Sequence, residues 1–245
     1  MSVESLKKNF QRAVDGNEFW RKQARRCYDY RIGRQWDVSA RKELEKQGRP
    51  ALTINRVRPF MNLLTGFYML NKSEPDFLPR TVGDDDVARI AKAVTKWVYD
   101  KVKYDNAKHN VFSDKVTGGK GIYYVATKVN YETLEEEIVI ERRSPFSVYV
   151  DPECLNVDLS DAGYICIAKW VDRDELKRVY PEFKDEIDQI ASEYAEEEDI
   201  ERRDLWYHAE NKKLRLVEYF EREYVMQKVY DLHGTLVREA DIEQA

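Results

Sequence analysis

Apolar side chains recur at helical spacing through the first half of the chain and at every second residue later on. Leu6, Phe10 and Val14, then Phe19, Trp20, Ala24, Cys27 and Tyr28, keep a helical period across residues 4–31, a stretch with no proline and one glycine. One long helix is predicted there, with a bend near Asp15-Gly16 and an end at Gly33. A short charged helix is expected over residues 38–47, stopped by Gly48 and Pro50. Asn55 then caps a helix over residues 56–71 that is apolar on most sides. Pro75 and Pro79 keep residues 74–82 extended. Gly83 and the triplet Asp84, Asp85, Asp86 place negative charge at the start of a helix over residues 87–103, with Ile90, Val94, Trp97 and Val98 on one face. Asp105 or Asn106 is the expected cap of one more helix, to about Thr117, ended by Gly118-Gly119.

The period then changes to two. Residues 122–129 alternate, and residues 138–142 answer them across a polar turn at 132–136, the pattern of a β-hairpin. Strands are also predicted over residues 146–150, 164–171, 214–220, 224–231 and 235–238, the last two joined by a His233-Gly234 turn. Between them Asp172 caps a short helix over 173–180, and Pro181 starts a charged helix to about Glu198. Helices first and strands afterwards define an α+β class: N-terminal helices followed by antiparallel strands and short helices. The expected division is a mainly helical part, residues 1–120, and an α/β part with hairpins, residues 121–245. The strand-like sequence that runs up to Ala245 is the pattern expected of a fragment.

Composition sharpens this picture in one respect. The 245 residues include 42% hydrophobic and 36% charged side chains, and the charged share exceeds the usual quarter. The net charge of −5 is unevenly spread. Residues 1–72 hold 16 Lys/Arg against 7 Asp/Glu, a net of +9, and the remainder holds 25 against 39, a net of −14. Within the acidic part, residues 172–204 hold 14 acidic and 6 basic side chains, a local net of −8. Opposed blocks of this kind steer nucleic acid or draw neighbouring copies together head to tail. Cys27, Cys154 and Cys166 lack a CxxC spacing and read as thiols of a reducing compartment. The richest apolar stretch, residues 60–70, is interrupted by Asn62, Thr65 and Gly66 and is too short for a bilayer, so no membrane partner is expected.

Candidate chemistry is sparse. Gly118-Gly119-Lys120-Gly121 has the composition of a phosphate loop in the wrong order, because a helix precedes it and a strand follows. His109, His208 and His233 are far apart in sequence and show no ligand pattern. Asp151, Asp158 and Asp161 gather around one loop, where carboxylates serve a hard cation or, more often, cap turns. A metal-dependent hydrolase would have to be built on these three. No catalytic, cofactor or metal site is predicted. The segment Trp20, Arg21, Lys22, Arg25, Arg26, Tyr28, Tyr30, Arg31, Arg34, Trp36 mixes cations and rings as nucleic-acid surfaces do. Arginine is equally enriched where proteins meet. Arg21, Arg25, Arg26 and Arg34 are therefore the candidate site, for a neighbouring subunit or for DNA. A nucleic-acid-binding module using the basic helices is the competing reading.

The order of short motifs resembles a known family. Gln35-Trp36-Asp37 leads to Asn55-Arg56-Val57-Arg58-Pro59, an apolar helix and Glu74-Pro75-Asp76-Phe77-Leu78-Pro79-Arg80. Then come Gly83-Asp84-Asp85-Asp86, Tyr104-Asp105-Asn106-Ala107, the glycine cluster from Gly118, Ile140-Glu141-Arg142-Arg143-Ser144-Pro145, Val150-Asp151-Pro152 and Leu159-Ser160-Asp161-Ala162. Through residues 35–238 this is similar to the N-terminal part of the portal proteins of short-tailed phages (podoviruses). The resemblance implies a non-enzymatic subunit of a ring, dodecameric when full length, at the capsid vertex of the virion, assembled in the host cytoplasm. It implies that the ring nucleates head assembly with capsid and scaffold proteins, docks the terminase, passes DNA in packaging and ejection, and carries tail or neck proteins. The portion covered corresponds to the wing. The stem, clip and crown of such proteins would lie beyond residue 245, as in a fragment, a truncated reading frame or a prophage remnant.

Overall fold

The computed structural model describes residues 2–71, 74–81, 83–130, 132, 134–197, 199–230 and 236–244. In chain order the elements are α1 (Val3–Ile32), α2 (Val38–Lys46), α3 (Val57–Leu70), α4 (Asp85–Lys101) and α5 (Tyr104–Gly118). They are followed by β1 (Ile122–Asn130), β2 (Glu135–Arg143), β3 (Val148–Val150), β4 (Tyr164–Asp172) and α6 (Arg173–Val179). A 3₁₀ turn (Pro181–Phe183) leads to α7 (Lys184–Ala195), α8 (Ile200–Trp206), β5 (Tyr207–His208), β6 (Lys213–Glu221), β7 (Glu223–Tyr230) and β8 (Leu236–Gln244). The α+β class is as the sequence predicts. The turn expected at His233-Gly234 lies outside the described residues.

The chain divides into two compact units, residues 19–146 and residues 1–18 with 147–245. These limits follow packing, and they differ from the division by element type at residue 120. They run through α1, whose first turns belong to one unit and whose remainder belongs to the other.

In residues 19–146, a side-chain cap sets the start of α3, and a side-chain turn precedes α4. The Asn55 carboxamide oxygen accepts from the Val57 and Arg58 amides, both at 3.1 Å, and opens α3. Asp84 accepts from the Thr81 amide and hydroxyl before α4 begins. The start of α5 departs from expectation. Lys103 stands in the left-handed region (φ 52°) and the helix begins at Tyr104, ahead of Asp105 and Asn106. At the other end Gly119 (φ 83°) donates its amide to the Lys115 carbonyl and closes the helix. The chain returns at once as β1. A Cβ on Gly121 would lie 2.3 Å from the Val111 carbonyl oxygen, so this sharp return needs a residue without a side chain. Strands β1 and β2 pair antiparallel from Ile122↔Arg143 to Asn130↔Glu135. Helix α3 packs on α5 through a flat Tyr68–Phe112 stack, centroids 3.8 Å apart.

In residues 1–18 and 147–245, four antiparallel strands run in the order β3-β4-β6-β5. Strand β4 alternates, and Tyr164, Cys166 and Ala168 turn to the core. Phe10 and Ala13, from the first turns of α1, close that core together with Tyr149 and Leu205. Gly16 lies against Pro152, where a Cβ would come within 2.5 Å of the proline ring. The residue expected to bend α1 instead permits a close approach, and the helix runs through it unbroken. A second cluster, Val171, Leu176, Ile187, Ala191 and Leu214, packs α6 and α7 on the sheet. Asp172 caps α6 by accepting from the Asp174 amide, as predicted. Helix α8 and strand β5 carry no strong periodic signal and were not predicted. Strands β7 and β8 form a separate antiparallel pair, from Glu223↔Gln244 to Tyr230↔Leu236.

Candidate functional site: the basic face of helix α1

Helix α1 gathers the predicted basic and aromatic side chains, and the structure sorts them by depth. Arg21 is buried. Its guanidinium donates to the Phe146 carbonyl oxygen and lies 5.8 Å from the centre of the Phe146 ring. The Arg25 guanidinium lies 6.0 Å from the centre of the same ring, and Arg25 is exposed. Arg26 is exposed, with its Nε 3.0 Å from the Tyr30 hydroxyl and its guanidinium over the Tyr30 ring at 5.4 Å. That hydrogen bond raises its pKa further, so its charge is permanent. Arg34 is exposed beyond the end of α1 and lines a groove of about 780 Å³ with Trp36, Val38, Arg41, Glu45 and Pro50. Trp36 is held there by donating to the Leu52 carbonyl at 3.1 Å. The four predicted arginines are thus one inward anchor and three outward cations.

The inward side of this part of α1, which Arg21 shares, carries a polar network that the sequence did not single out. Asp114 of α5 is buried. It accepts from the Tyr28 hydroxyl at 2.7 Å and takes two hydrogen bonds from Arg142 of β2, at 2.5 and 3.0 Å. Burial, reinforced by the bond to Asp114, pushes the Tyr28 phenol well above its ordinary range. One turn on, Arg31 donates to Ser113 Oγ and Thr117 Oγ1, both at 2.8 Å. Trp20 Nε1 donates to the Gly118 carbonyl at 2.8 Å. These bonds tie three elements of residues 19–146 together and leave Arg25 and Arg26 on the outer side. The inward stripe Ser113, Asp114, Thr117 was the available signal. Its spacing alone does not separate it from a solvated face.

The other candidates resolve into structural roles. Gly118-Gly119-Lys120-Gly121 follows the C-terminal end of α5, where carbonyls rather than free amides are presented, and Lys120 Nζ lies 4.5 Å over the Trp20 ring. The loop aspartates cap the backbone. Asp161 accepts from the Cys154 thiol at 3.0 Å and from the Leu155 and Asn156 amides at 2.8 and 3.1 Å. Asp158 accepts from the Ser160 amide and hydroxyl, and Asp151 from the Glu153 amide. Among the described residues no group of three or more His, Cys, Asp or Glu is placed to hold a metal ion.

The Asp161 turn predicts a titration. Its hydrogen bonds, the Cys154 thiol foremost, hold the carboxyl at about 2, below its ordinary 3.8. A carboxyl whose pKa falls on folding stabilises the fold above its unfolded pKa, and that contribution is lost as pH falls through the folded value. The turn should therefore persist at pH 4 and loosen only as the pH approaches about 2. Amide chemical shifts of Leu155 and Asn156, followed by NMR against pH, are expected to titrate near that value. A midpoint at the ordinary 3.8 would show that the bonds do not form in solution.

The fold and the site define a class: a mixed α+β chain whose polar side chains clamp elements together and whose cations face outward. A family model described as "Phage P22-like portal protein" matches residues 7–245. The chain belongs to this family and is a phage portal subunit by that membership. No curated protein matched the sequence. No helix among the described residues is long and apolar enough to cross a membrane.

Proposed function

We propose that residues 1–245 act as the wing of a portal ring at the capsid vertex, through which phage DNA is packaged and ejected and to which tail or neck proteins attach. Capsid, scaffold and terminase proteins are its other partners in this reading. The carrying observation is the family match, which covers all but the first six residues. The physical reading agrees with it. A closed ring requires heterologous contacts, one face of each copy meeting a different face of the next. The chain supplies surfaces of opposite charge: a basic stretch with Arg25, Arg26 and Arg34 exposed, and an acidic one over residues 172–204.

In the full-length protein, Arg25→Glu with Arg26→Glu is expected to shift rings toward smaller species in native mass spectrometry, and more so at low salt. Neither side chain supports the core, so folding should be retained. Rings unaffected by the double reversal would refute the basic contact. Absence of the chain from DNA-filled particles would refute the portal role itself. The basic helices also support the competing nucleic-acid reading. DNA affinity of the isolated chain that falls steeply with salt, with no self-association, would favour it.

A further inference from the structure

Helix α3 is half used. Met61, Thr65 and Tyr68, three to four residues apart, form the side turned to α5, and Thr65 is its buried member. The outer side is also apolar. Phe60, Leu63, Phe67 and Leu70 recur at spacings of three, four and three, and their relative exposures are 60%, 68%, 68% and 86%. This is the periodicity of an amphipathic helix that docks in a groove. A contiguous stripe of this size marks an interaction site rather than scattered surface side chains.

A groove of matching character lies in residues 147–245. Helices α6 and α7 border a trough of about 370 Å³ with Leu176, Tyr180, Phe183, Ile187 and Ile190 among its lining residues. Phe183 is 47% and Ile190 43% exposed. Glu186 stands in the lining, and α7 adds exposed Asp185 and Glu193. Arg215, which also lines it, lies over the Trp170 ring at 4.3 Å.

We infer that the outer stripe of α3 docks in the α6–α7 groove of a second copy of this chain. Charge selects this occupant. Residues 49–72 contain Arg49, Arg56, Arg58 and Lys72 and no acidic side chain, whereas residues 172–204 carry a net of −8. Helix α4 offers a second apolar stripe at the same spacing, Val87, Ile90, Val94 and Trp97. It opens on Asp84, Asp85 and Asp86, and residues 84–103 hold 5 basic against 4 acidic side chains, a net of +1 against +4 for residues 49–72, so it matches an acidic groove less well. The stripe and the groove are different surfaces, so their pairing is heterologous and can propagate around a ring. The inference rests on the portal reading and names the contact through which copies would meet.

The test mixes two versions of the full chain, both carrying Cys27→Ser to remove the exposed native thiol. One adds Leu63→Cys and the other Ile190→Cys, so a mixed disulfide can form only between copies. Under mild oxidation the mixed dimer is expected to exceed, by about tenfold, the dimer formed when Val94→Cys replaces Leu63→Cys. Adding Phe183→Asp to the groove copy should abolish that excess. Equal yields from Leu63→Cys and Val94→Cys, a dominant Leu63–Leu63 dimer, or an excess that survives Phe183→Asp would overturn the inference. Native mass spectrometry of the unaltered chain separates the two failures. If the unaltered chain assembles while the Leu63→Cys and Ile190→Cys versions do not cross-link, this contact alone is refuted; if it does not assemble at all, the portal reading goes as well.

Discussion

Truncating Phe10 to alanine is expected to destabilise residues 1–18 and 147–245 by about 3–5 kcal/mol, the range for removing a buried aromatic ring. Phe10 is 1% exposed and is the largest fully buried side chain among the described residues. Its ring meets Tyr149 edge-on at 5.0 Å and Trp206 at 5.3 Å. Tyr164, Cys166 and Ala168 of the sheet surround it. The neighbours come from the paired strands β3 and β4, which cannot close on the void without disturbing their pairing. Phe10→Leu keeps most of the volume and should cost clearly less. The two units need not unfold together, so a single melting temperature is the wrong measure. Hydrogen exchange of peptides covering β4 and β6 reports the affected unit directly. Unchanged protection there in Phe10→Ala would contradict the packing described for α1.

Phe10 also shows how much of the fold was legible. The helical period of Leu6, Phe10 and Val14 predicted the helix and its apolar face, because that signal is local. It did not say that the face would close on strands some 140 residues later, which only the tertiary packing decides. The caps at Asn55 and Asp172 were legible for the same reason: each satisfies amides two or three residues on. The start of α5 was not, because a lysine in the left-handed region leaves no sequence signature and Asp105 looked like a better cap. Helix α8 and strand β5 are short, and α8 is heavily charged, so neither shows a dominant period.

The site was legible in part. Rings and arginines of residues 20–36 were recognised as one surface, but spacing did not reveal which cation turned inward. Arg21 and Arg25 lie on one face one turn apart, and both approach Phe146. Arg21 is the buried one of the two and donates to the Phe146 carbonyl. The apolar wrap of α3 suggested burial in the protein or between subunits. The structure leaves its outer stripe exposed and thereby makes the second alternative the useful one. Sequence sees that a face is apolar, while solvent exposure shows whether the same chain has already covered it.

Asp114→Ala should cost about 3 kcal/mol in residues 19–146, at the low end of what breaking a buried ion pair costs. Asp114 is 4% exposed and accepts three hydrogen bonds. Its removal leaves the half-buried Tyr28 hydroxyl and the Arg142 guanidinium without their acceptor, and an unsatisfied donor costs more the further it is from solvent. Arg142 keeps 38% of its side-chain surface in solvent, so it regains part of its hydration and holds the loss to the lower end. Tyr28→Phe removes a single bond of the set and should cost about 1 kcal/mol. Asp114→Asn retains an oxygen for Tyr28 but turns an amide donor toward Arg142, so it should fall between the two. Replacing both Asp114 and Arg142 with apolar residues of similar volume should recover much of the loss, because no unpaired charge remains. Hydrogen exchange over α5 and β2, in the wild type and these four variants, distinguishes a working clamp from a decorative contact. If α5 is as well protected in Asp114→Ala and Tyr28→Phe as in the wild type, α1 is held to α5 by its rings and by the Arg31 and Trp20 hydrogen bonds, and the Asp114 set adds nothing.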